Sequence, residues 1–154
     1  MNDEVPDDIM PNDESLGADE GVSEELVPWE RGLEGGRVGE EGKPYDLEER
    51  TAQFGEMVID FAKTIPVNEV TKRLIPQVVA AATSVGANYC EADDAVSKKD
   101  FRYKIGTCKK EARETKFFVR MVVRAVPELR HDAKPVWQEA KELHLIFAKI
   151  WRSK

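Results

Sequence analysis

Ser84, Asn88 and Glu91 fall at steps of four and three along one predicted helix, and Glu111 and Glu114 stand three apart on the next. Carboxylates facing inward from neighbouring helices are the raw material of di-metal chemistry. That chemistry also needs a Glu-x-x-His pair on each of two helices, to supply nitrogen ligands. Here Glu91 is followed three residues on by Asp94, and Glu111 by Glu114. The two histidines, His131 and His144, lie on or just before the fourth predicted helix. No metal, no cofactor and no catalytic residue is expected. The five polar side chains instead suit a structural network, because buried groups that satisfy one another fix the register of a bundle. Antiparallel pairing about a turn near Lys98 sets residue 88 opposite residues 108–111. Asn88 is therefore expected to reach Glu111 across the helix interface.

Nucleophilic chemistry is no better supplied. Cys90 and Cys108 fall at similar heights on adjacent helices by the same arithmetic. A redox clip between them competes with the plainer reading of two small core residues. Neither has the neighbouring histidine of a reactive thiol, and no Ser-His-Asp or Cys-His arrangement can be assembled. Gly55, Gly86 and Gly106 sit singly inside helices, so none belongs to a phosphate loop. Their expected use is to let two backbones approach. An enzyme is not expected.

Charge offers more. The third predicted helix carries ten cations, with Lys104 among them, against Asp100, Glu111 and Glu114. Such a stripe attracts phosphate without base specificity. Lys98, Lys99, Arg102, Lys109, Lys110, Arg113, Lys116, Arg120 and Arg124 are the candidate nucleic-acid contacts. No aromatic stripe for base stacking is read beside them. The alternative is a structural oligomer or protein-interaction scaffold, in which these charges form a solvated face. A salt-dependent affinity for RNA or DNA separates the two readings.

The elements that must position these residues are four helices. Phe101, Ile105, Cys108, Ala112, Thr115, Val119, Val122 and Val126 alternate steps of four and three, the seam of a helix packed nearly parallel to its neighbours. The same spacing runs through Leu47, Thr51, Phe54, Val58, Phe61 and Ile65 in a first helix, from Asp46 to Thr64, capped by Asp46 and ended by Pro66. A second helix is predicted from near Asn68 to about Ala95, with Leu74, Val78, Ala81 or Ala82, Val85 and Ala92 inward and a kink or break at Pro76. Ser97 caps the third, which Pro127 stops. Asp132 is expected to cap the fourth, with Pro135 in its first turn and Val136, Ala140, Leu143, Phe147 and Ile150 inward. Short connections make successive helices antiparallel neighbours. The fold class is all-α, an antiparallel up-down-up-down four-helix bundle with a disordered acidic N-terminal tail.

Composition draws the same boundary. Residues 1–43 hold 14 acidic and 3 basic side chains, whereas residues 44–154 hold 16 acidic and 20 basic. Seven of the ten glycines precede residue 44, with few aliphatics among them. Residues 1–43 are thus expected to be a disordered, Gly-rich tail and 44–154 the bundle. One apolar island, Leu26 to Trp29, interrupts the tail and is read as incidental rather than as a docking motif. An acidic segment competes with phosphates for the same cations, so deleting residues 1–43 is expected to raise affinity for RNA or DNA. No run of about 18 apolar residues exists, so no membrane span is expected. The acidic start lacks the apolar segment of a secretory signal, and two cysteines read as reduced, buried thiols of a cytoplasmic protein.

The segments QVVAAATSVGANYCE (Gln77–Glu91), SKKDF (Ser97–Phe101) and KEARET (Lys110–Thr115) resemble the bacterial four-helix bundle protein family. That family includes proteins encoded by intervening sequences within large-subunit ribosomal RNA genes. The chain also resembles a relative with the same fold, the accessory protein of diversity-generating retroelements. The resemblance covers about residues 46–152, with Gln77, Ala81 or Ala82, Ser84, Asn88, Glu91, Asp100, Phe101, Glu111 and Glu114 in family-like places. Ala92 departs from the pattern, which usually has Gly there. The resemblance implies a small non-enzymatic bundle that assembles as a homopentamer. In the retroelement relative, a basic outer surface binds nucleic acid and the reverse transcriptase. Expected partners are therefore further copies of the chain and RNA, DNA or another protein.

Overall fold

The computed structural model describes residues 46–153, and the predicted tail with its Leu26–Trp29 island lies outside them. Four helices follow one another: α1 (Leu47–Lys63), α2 (Thr71–Asp93), α3 (Lys98–Ala125) and, after a 3-10 turn at Pro127–Leu129, α4 (Arg130–Ser153). Among the described residues there is no strand, and the class is all-α.

Two predicted caps form. Asp46 Oδ1 accepts the Glu49 amide at 3.0 Å, and Ser97 Oγ accepts the Asp100 amide at 3.0 Å. Each satisfies an amide that the first helical turn leaves without a partner. The other two starts differ from expectation. Asn68 does accept amides, from Val70 and Thr71 at 2.9 Å each, but through a turn that precedes α2. Thr71 answers by accepting the Asn68 amide at 2.8 Å and donating to the Pro66 carbonyl at 2.5 Å. This reciprocal box delays regular helix to Thr71. The helix then runs unbroken past Pro76. At the end of α3, Val126 leaves the helical region (φ −136°, ψ 79°), in keeping with the bias of a residue before proline away from helix. Pro127 then opens the 3-10 turn, Leu129 is buried beneath it, and α4 begins at Arg130 rather than after Asp132. Asp132 sits in the first turn of α4 instead of capping it, and Pro135 falls inside the helix.

All six seam residues of the first helix are buried, with Phe54 and Val58 fully so. In α2, Val78, Ala81, Ala82, Val85 and Ala92 are buried and Leu74 is half-buried; in α3 only Phe101 of the seam is half-buried. Val136, Ala140, Leu143 and Phe147 complete the core from α4, with Ile150 half-buried at its edge. Fully burying such a side chain contributes about 1.5–3 kcal/mol each. Inward hydroxyls are satisfied by their own helices: Thr51 donates to Leu47 O at 2.8 Å and Thr115 to Glu111 O at 2.9 Å. Successive helices pack on one another, and α4 returns against α1.

That last contact carries a charge clamp. Arg50 on α1 gives Nε to Glu139 Oε1 at 2.7 Å and Nη2 to Glu139 Oε2 at 3.2 Å, while Nη2 also reaches Glu142 Oε2 at 2.5 Å. Glu139 is 5% exposed, so the paired guanidinium offsets part of the cost of burying its carboxylate.

Candidate nucleic-acid interface

A helix turns 100° per residue, so residues seven apart lie nearly one above another. Arg102, Lys109 and Lys116 form one such row on α3, and Trp137, His144 and Trp151 form another on α4. The two rows meet. Arg102 Cζ lies 4.3 Å and Lys109 Nζ 5.0 Å from the centroid of the Trp151 ring, and Lys116 Nζ lies 5.5 Å from that of Trp137. Lys141 covers Trp137 as well, at 5.6 Å. Gly106 makes room for this: a Cβ there would stand 3.2 Å from Trp151 Nε1. The indole therefore rests against α3 between two cations, each such contact worth about 0.5–1 kcal/mol where exposed.

The predicted basic residues divide on this geometry. Lys98, Lys99, Arg102, Lys110, Arg113, Arg120 and Arg124 are exposed, and Lys109 is half-buried. Lys116 is a correction, being only 5% exposed. It sits on the flank of α3 that turns toward α4, where Trp137 covers its ammonium. Lys104 lies on the opposite flank, bound to Glu91; that hydrogen bond is the main cause that holds its ammonium above the usual lysine range.

The predicted polar network divides too. Asn88 Nδ2 donates within its own helix to Ser84 O at 2.8 Å, and no hydrogen bond joins it to Glu111 among the described residues. Both ends of that bond lie on α2, so it carries no register between helices. Glu91 belongs to Lys104. Glu111 and Glu114 are neighbours on one flank: burial first, then the nearby Glu114 carboxylate, hold the Glu111 carboxyl above the ordinary carboxylate range.

Cys108 is buried, donates to Val85 O at 3.5 Å and has its pKa pushed up to about 12 by burial. Cys90 is exposed, against expectation, because its position on α2 falls outside the inward seam. Both thiols are free. Among the described residues no three His, Cys, Asp or Glu side chains come together to hold a metal, and no helix is long and apolar enough to cross a membrane.

Aromatic residues do accompany the cations. Tyr103 is 69% and Phe117 55% exposed on α3 itself, in line with Lys110 at seven-residue intervals. This row was legible in principle from the spacing. Trp151, 42 residues beyond Lys109, was not.

No family model matches the chain, and no curated protein matches it. Among solved structures, the chain is similar to a protein of unknown function from the S23 ribosomal protein family of Bacteroides thetaiotaomicron. The TM-score is 0.59 at 23% sequence identity, and the match covers 68% of this chain and 96% of that one. A likeness at this identity is one of fold, and the fold shared is helical and bundle-like.

Proposed function

We propose that this chain is a non-enzymatic four-helix bundle that serves as a nucleic-acid-binding or ribonucleoprotein accessory module through the basic face of α3. The observation that carries the reading is the run of exposed cations from Lys98 to Arg124, along a helix about 40 Å long. Packing of each helix on the next through short connections supports an up-down-up-down order. The resemblance of Gln77–Glu91 and Lys110–Thr115 to the four-helix bundle family adds assembly as a homopentamer, which would repeat the basic face around a ring and multiply its field, and the reading of the two cysteines as reduced thiols adds a cytoplasmic location. The ribosomal family name of the structural neighbour is compatible with an RNA partner.

Charge reversal tests the reading. Arg113→Glu with Arg120→Glu, both exposed positions, is expected to weaken binding of an RNA or DNA oligomer at least tenfold at about 50 mM salt while the chain stays folded by circular dichroism. Equal binding by the variant would leave the alternative, an oligomeric scaffold without a nucleic-acid role.

A further inference from the structure

The side chains around α3 are sorted by type. At 100° per residue, the buried seam is followed on the α4 side by cations, Arg102, Lys109, Arg113 and Arg120. Next comes the outermost row, Tyr103, Lys110 and Phe117. Beyond it, on the α2 side, lie the carboxylates of Asp100, Glu111 and Glu114, with Lys104 as the one cation among them, its charge taken up by Glu91. A polyanion on this surface is attracted along one flank and repelled along the other, with two exposed aromatic rings between.

We propose that the outer stripe of α3 takes a single-stranded nucleic acid, its phosphates on the α4-side cations and its unpaired bases stacked on Tyr103 and Phe117. The proposal rests on the nucleic-acid reading above and adds the class of strand. Tyr103 and Phe117 are 69% and 55% exposed, on the side of the helix away from the core seam. Their faces therefore contribute little to the fold. They lie fourteen residues apart, about 21 Å along the axis, a span suited to a short single-strand site of about four nucleotides or more. Each ring also has a fixed neighbour. Phe118 meets Phe117 edge-on at 5.3 Å, and Lys104 Nζ lies 5.8 Å from the Tyr103 centroid. A duplex keeps its base faces covered, so it gains from the cations but not from the rings. Stacking is sequence-tolerant, because every base has a π-face.

Anisotropy titrations of the full chain with a labelled twelve-nucleotide single strand, as RNA and as DNA, and with the matching duplex test this. Tyr103→Ala with Phe117→Ala is expected to weaken single-strand binding by about tenfold or more, while duplex binding stays within about twofold and melting is unchanged. Tyr103→Trp with Phe117→Trp should retain or exceed the original affinity. Loss on the RNA strand alone, or on both strands, supports the proposal and assigns the strand. Equal loss on single strand and duplex, or none on either, overturns it while leaving phosphate binding intact. Failure of the unaltered chain to bind any of the three oligomers overturns the nucleic-acid reading itself, and this proposal with it.

Discussion

Gly55 and Gly106 look alike in the sequence, each a lone glycine inside a helix, and the structure separates them. A Cβ at Gly55 would meet Thr83 Cγ2 at 3.8 Å, an ordinary contact, whereas one at Gly106 would meet Trp151 Nε1 at 3.2 Å. Gly55→Ala is therefore expected to raise stability by about 0.5–1 kcal/mol through helix propensity alone, read as a higher urea midpoint. Gly106→Ala should gain less or lose, with a change in tryptophan fluorescence as the indole shifts from between Arg102 and Lys109. The cysteines separate similarly. At pH 8 a thiol-specific reagent should modify Cys90 at once and Cys108 only on unfolding, because burial keeps Cys108 protonated far above that pH. Glu111 has the opposite consequence for stability. Its raised carboxyl means that the folded chain holds this proton more tightly than the unfolded chain. The group therefore costs stability above its folded value, and the cost fades as pH falls through it. Glu111→Gln should be the more stable protein at pH 7, with the advantage shrinking toward pH 4; a less stable variant at pH 7 would refute this. Residue type and spacing alone carry none of these distinctions, since each depends on what the partner helix places opposite.

At the scale of elements, the seams were legible because a four-three repeat has one physical use, and nearly every seam residue is buried. Caps were legible where one side chain acts alone, as at Asp46 and Ser97. Starts shaped by two residues together were not: the Asn68–Thr71 box and the Pro127 turn each moved a boundary by two or three positions. The Arg50 clamp was illegible for a different reason, its halves being 89 and 92 residues apart. Arg50→Met is expected to cost about 2 kcal/mol, because it takes a two-point guanidinium contact from the buried Glu139 carboxylate. Arg50→Met combined with Glu139→Leu should recover much of that loss, measured by chemical denaturation.

For the molecule as a whole, the basic face was half legible. Composition located the cations on one helix, but the burial of Lys116 and the seating of Arg102 and Lys109 on Trp151 come from α4, which returns alongside α3 only in the fold. What the face does is an electrostatic matter, and electrostatic binding has a signature that packing lacks. If about five phosphates are neutralised per protomer, the logarithm of affinity should fall against the logarithm of salt with a slope near −4.5 on duplex and near −3.5 on a single strand. Replacing Arg113 by Ala should flatten the slope by about one unit. A titration between about 50 and 200 mM salt that gives these slopes establishes α3 as a phosphate-binding surface. A flat line, or no binding at the lowest salt, would contradict it.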